Sequence, residues 1–138
     1  MLQDLRNCIR LRELPKSIWA GLQSLHTLRL HGCSGLSSLP PRGWGNMRAL
    51  TVVDLRNCRK LEALPEAGWD GLQSLRLLDL MNCSSLRGLP ATFAASGSLE
   101  MLLLDPTLHE TLSGAISHQL GSQGCCVNSL VLTRSDRK

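Results

Sequence analysis

Leucines recur along the chain as Leu-x-x-Leu-x-Leu-x-x-Cys-x-x-Leu-x-x-Leu-Pro, a pattern carried in full by Leu25, Leu28, Leu30, Cys33, Leu36, Leu39 and Pro40. Leu28 and Leu30 alternate with polar Thr27, Arg29 and His31, and this period of two predicts a short strand over 27–31 with one buried face. After the strand the leucines come at three-residue spacing, so successive bends point into one core. Proline then stops further extension, because it fixes φ and lacks an N–H donor. The segment from Pro15 to Leu25, and its copies, predicts an irregular return or one to two helical turns holding Trp19 and Leu22.

The pattern repeats every 25 residues. Leu5, Leu30, Leu55 and Leu80 share a column, as do Cys8, Cys33, Cys58 and Cys83. Leu14, Leu39, Leu64 and Leu89 share another, each followed by proline, and Trp19, Trp44 and Trp69 a further one. A fixed period of this length implies stacked coils with a parallel sheet on the concave side. Leu99, Leu102 and Leu104 repeat the strand pattern one residue early. Thr107 and Glu110 have capping-box spacing, and Leu108, Leu112, Ile116 and Leu120 predict a helix over 108–120 before Gly121. Val127, Leu130 and Leu132 restore the strand pattern, which gives six predicted strands, near 2–6, 27–31, 52–56, 77–81, 101–105 and 129–133. Neither end carries an evident polar cap, so the expectation is a fragment, a truncated gene model, or a chain whose open ends pack on something else.

The Cys-x-x-Leu-x-x-Leu-Pro repeats resemble the leucine-rich repeat family. They look most like the Cys-containing repeats of plant-type intracellular disease-resistance receptors, which combine a nucleotide-binding domain with leucine-rich repeats. The resemblance is strong over about residues 2–104. It implies an α/β fold: one leucine-rich-repeat solenoid over 1–138, with 25-residue repeats to about 104, a longer helical repeat over 105–133 and a charged tail over 134–138. The implied function is non-enzymatic recognition of a protein partner on the concave face, as in the recognition part of an immune receptor. A substrate-recognition adaptor of the ubiquitin-ligase kind is the alternative within the fold.

Composition fits that reading. Thirty leucines stand against one Phe, three Trp and no Tyr, so a single side chain builds the core. The net charge of +4 is spread along the chain without runs, which does not call for nucleic acid. No stretch approaches a membrane span and the N-terminus carries charge where an export signal would be apolar. The six cysteines are thus expected as free thiols in the reducing cytoplasm.

Candidate chemistry is sparse. The aligned cysteines read as buried structural thiols whose parallel side chains suit disulfide bonding poorly. Cys125, Cys126 and His118 lack zinc or redox spacing. His109 and Glu110 begin a metalloprotease helix motif, but Ser113 occupies the place of the second His. No phosphate-cradling loop precedes a lysine, and no Ser/His/Asp set assembles. The expectation is no enzyme, no cofactor and no metal, an enzyme with a Cys/His site being the rival of another class.

Strand alternation assigns the outward face instead. One row is Leu2, Thr27, Val52, Leu77 and Met101; the next is Asp4, Arg29, Asp54, Asp79 and Leu103; the third is Arg6, His31, Arg56, Met81 and Asp105. The candidate partner-binding residues are Arg6, Arg29, His31, Val52, Asp54, Arg56, Leu77, Asp79, Met81, Met101 and Leu103. They form a basic, polar end over strands 1 to 3 and an apolar end over strands 4 and 5. Six strands give a face of about 400 Å², half of the roughly 800 Å² per partner of an ordinary interface. The loops bearing Arg10, Arg59 and Lys60 extend it.

Overall fold

A computed structural model describes residues 2–15, 23–40, 44–90 and 98–104. Five strands, β1 (Leu2–Asp4), β2 (Thr27–Arg29), β3 (Val52–Asp54), β4 (Leu77–Leu80) and β5 (Met101–Leu104), form one parallel sheet in chain order. Leu2 faces Thr27, Thr27 faces Val52 and Val52 faces Leu77, so the 25-residue period becomes the strand register. Leu77 faces Met101, which is the expected one-residue shortening. The sixth strand, the helix over 108–120, Asp105 and Trp19 lie outside the described residues.

β1, β2 and β3 end two residues earlier than the alternation predicts, and β4 one residue earlier. Asn7, Asn57 and Asn82 (φ 61 to 63°) and Gly32 (φ 79°) form one column in the left-handed region, where Asn and Gly are the residues best tolerated. Interstrand bonding nevertheless runs up to that turn: Leu5 N–H donates to Arg29 O at 2.8 Å and Asn7 N–H to His31 O at 2.9 Å. The next two coils repeat these bonds. The Asn82 amide also donates to Asn57 Oδ1 at 3.0 Å, linking adjacent turns.

Beyond the turn, each cysteine ties its coil to the previous one. Cys33 Sγ donates to Leu5 O at 3.0 Å, Cys58 Sγ to Leu30 O at 3.2 Å and Cys83 Sγ to Leu55 O at 3.1 Å. All are free thiols. Burial pushes the Cys33 thiol up and the Cys58 thiol well above its ordinary range, which suits neutral donors rather than reactive thiolates. Leu28, Leu30 and Leu36 are fully buried, as are Val53, Leu55, Leu61, Leu78 and Leu80, and all belong to one continuous core against which Leu5 and Leu11 pack half-buried.

Opposite the sheet, Trp44 and Trp69 begin single 3₁₀ turns (Trp44–Asn46 and Trp69–Gly71) and are fully buried. Their rings pack edge to face with centroids 5.5 Å apart. Trp69 Nε1 donates to Pro65 O at 2.7 Å. The two tryptophans are core, as the column predicts. The turns approach so closely that a Cβ on Gly71 would strike the Gly45 carbonyl oxygen.

Candidate functional site

Odd and even positions of each strand face opposite ways, so the inward Leu28, Val53, Leu78 and Leu102 are fully buried while their neighbours face out. The outward rows meet in an open groove of about 450 Å³ running from Arg6 to Leu77 and Asp79, across Arg29, His31, Val52, Asp54 and Arg56. Arg29, Asp54 and Asp79 therefore do share one face.

Two of the three are nonetheless largely covered: Asp54 is 8% and Asp79 6% exposed. Assigned by alternation to the outward candidate residues, they prove to be part of the strand ends. Asp54 Oδ1 accepts the Arg56 backbone N–H at 3.2 Å and its Nε at 3.0 Å. Its Oδ2 accepts Arg56 Nη2 at 2.9 Å and lies 3.1 Å from His31 Nδ1. Arg56 Nε also sits 3.3 Å from Asp79 Oδ2, so one guanidinium spans two strands. Asp79 Oδ1 accepts the Met81 N–H at 3.1 Å, and Asp4 Oδ1 accepts the Arg6 N–H at 3.2 Å and Nε at 2.8 Å. In three coils the carboxylate thus accepts the N–H two residues on, a local turn bond that Asp makes readily.

The electrostatics follow from this geometry. Burial alone would raise the Asp54 carboxyl, but the Arg56 side chain and N–H, with the charges of Arg56 and His31, hold it below the usual range. The bond from Asp54 raises Arg56 in turn, against partial burial. The Arg6 side-chain hydrogen bond likewise lowers Asp4.

Arg29 occupies the same column and behaves differently. Its side chain is half-buried in the groove, and among the described residues it makes no ion pair. At the apolar end Met101 is 43% exposed and Leu77, Val52 and Leu103 are half-buried. Met81, placed by alternation in the apolar patch, is only 6% exposed. It stands at the turn, where its N–H is tied to Asp79. The partly exposed apolar strip on this face therefore narrows to Met101, Leu77, Val52 and Leu103.

Sequence reasoning missed the turn-capping role of the aspartates, although an Asp two residues before the turn in three coils is its visible signal. It also missed the bidentate Arg76–Glu100 pair at the opposite sheet edge, both contacts at 3.0 Å. The signal there is one column carrying opposite charges 24 residues apart. Among the described residues no three His, Cys, Asp or Glu side chains converge as metal ligands, and no helix is long and apolar enough to cross a membrane. Neither a protein-family model nor a curated protein matches the sequence.

Proposed function

We propose that this chain is a leucine-rich-repeat solenoid, of six strands over its full length, that recognises a protein partner through the grooved sheet face and carries out no chemistry of its own. In this reading it is the recognition part of a cytoplasmic receptor of the plant disease-resistance type. The observation carrying the proposal is the juxtaposition, on one face, of the Arg29 guanidinium, which makes no ion pair among the described residues, with a partly exposed apolar strip at Val52, Leu77, Leu103 and Met101. Outward apolar side chains on such a sheet do nothing for the core, so they are available to a partner. The burial that raises the Cys33 and Cys58 thiols, and their bonds to backbone carbonyls, favour neutral structural cysteines over nucleophiles at these two positions.

Selecting a displayed library of random 12-residue peptides on the immobilised chain tests this. Selected peptides are expected to lose binding at least about tenfold on the Leu77→Asp/Met101→Asp variant, whose far-UV circular dichroism stays that of the wild type. Failure to select any binder, or equal binding to the variant, overturns the proposal.

A further inference from the structure

A second recess opens on the turn side of the strands, with a volume of about 640 Å³. Arg10 and Arg12 line it from the first coil and Lys60 from the third, while Gly35 and Ser37 of the second coil lie between them. The repeat explains the hollow: Arg10, Gly35 and Lys60 share one column and Arg12 and Ser37 another, so the middle coil puts its smallest side chains between long cations. Gly35 is obligatory there. An added Cβ would come within 2.6 Å of the Ile9 carbonyl oxygen and 3.2 Å of that of Leu11, both rigid backbone. Ser37 N–H donates to Arg12 O at 3.2 Å and fixes the two coils against each other.

The recess is electrostatically uncompensated. Among the described residues Arg10, Arg12, Lys60 and the adjoining exposed Arg59 make no ion pair, whereas Arg6, Arg56 and Arg76 are all paired. Glu13 and Glu62, the nearest carboxylates in the chain, are exposed and pair with none of these cations. At the rim Ile9 is 64% exposed, more than any other large apolar side chain described. Unpaired cations around an apolar side chain complement an acidic chain carrying an apolar residue, and such complementarity raises on-rate and specificity. The recess and the groove lie on either side of the turn at Asn7. Arg6 lines the groove and Ile9 the recess, three residues apart or at most about 10 Å of chain. The groove face alone is too small for an ordinary interface.

Resting on the proposed recognition role, we infer that the protein partner presents an acidic segment that crosses from the groove over the turns of Asn7 and Gly32, sets its carboxylates on Arg10, Arg12 and Lys60, and lays an apolar side chain on Ile9. Fluorescence anisotropy on the full chain tests it with three labelled probes. These are a 12-residue Asp/Glu peptide with one central Leu, the same peptide with Asn/Gln throughout, and a 12-nucleotide single-stranded RNA. The acidic peptide is expected to bind, the neutral one at least about tenfold more weakly, and the affinity to fall steeply with added salt because the exposed charges are screened. Arg10→Ser/Arg12→Ser/Lys60→Ser, and separately the single reversal Lys60→Glu, should each weaken the acidic peptide with unchanged circular dichroism, the triple variant by about tenfold or more. Acidic-peptide binding that is absent, or indifferent to both variants, overturns the inference. So does RNA binding of equal strength and equal variant dependence, which marks a general polyanion site. The recognition proposal fails separately, by the Leu77→Asp/Met101→Asp criterion, because Leu77 lines the groove and Met101 pairs with it in the sheet, whereas neither lines the recess.

Discussion

The second and third coils have the same buried skeleton and opposite outward chemistry. Inward, Leu28, Leu30 and Cys33 match Val53, Leu55 and Cys58, all fully buried. Outward, the third coil places Asp54, Arg56 and Asn57, which cap its turn, bridge to Asp79 and accept the Asn82 amide. The second coil replaces these with Arg29, His31 and Gly32, and has neither the capping carboxylate nor the asparagine link. In exchange it supplies the unpaired guanidinium of the groove and, through Gly35 and Ser37, the hollow of the basic recess. The positions where one coil departs from the repeat are those where turn stability has been given up for an open, charged surface.

The largest expected effect tests the shared half of this comparison. Leu30→Ala and Leu55→Ala each remove a fully buried side chain from equivalent layers, and each should lower unfolding free energy by about 3 kcal/mol in urea titration. The two losses should agree within about 1 kcal/mol. A Leu30→Ala loss near zero would falsify the idea that the second coil differs only outwardly.

What the sequence made legible divides along the same line. Burial of the leucine and cysteine columns, complete in the inner coils and partial at Leu5, Cys8, Leu11 and Leu89, and of Trp44 and Trp69, follows from size and hydrophobicity, which one position in one coil already expresses and the other coils repeat. The register follows because strands of equal phase must align their apolar sets or expose them. The roles of Asp54 and Asp79 were not legible in the same way. An outward carboxylate looks alike whether it faces water, a partner, or the N–H two residues ahead, and only backbone geometry separates these cases. The basic recess was hidden for a related reason: Arg10, Arg59 and Lys60 are visible as extra charge, but the hollow depends on Gly35 lying against the Ile9 carbonyl.

A smaller effect distinguishes the capped coil by its pH dependence. Asp54→Asn keeps an oxygen for the Arg56 N–H while removing the charge, so it isolates the ion pairs. It should cost about 1 to 2 kcal/mol near pH 6. The folded Asp54 carboxyl lies below its ordinary value of 3.8. Its ionised form therefore stabilises the fold above 3.8, and the contribution is lost as pH falls through the folded value. Urea midpoints of wild type and Asp54→Asn should thus begin to converge as pH falls below about 5 and draw closer still below 3.8. Midpoints that stay equally far apart would mean that the amide disturbs packing rather than charge.

The smallest effect restores a missing feature of the second coil. Gly32 has φ 79°, a conformation that Asn7, Asn57 and Asn82 adopt in the same column, so Gly32→Asn adds a side chain without leaving the favoured backbone region. A new Cβ there would meet Asn7 Oδ1, the free end of a flexible side chain that can rotate aside. Gly32 N–H already donates to Arg56 O at 2.8 Å, and that bond is unaffected by the substitution. Restricting the unfolded chain favours the variant, as does an amide link to Asn57 like that from Asn82. A gain of about 0.5 kcal/mol is expected in the same titration. Acidic-peptide affinity should remain within about twofold, because the turn lies between Arg29 and the recess without supplying a charge to either. A loss of stability would instead show that Asn7 has nowhere to turn. Glycine in the second coil would then be a steric necessity of close-set turns, rather than one more position given over to the surface.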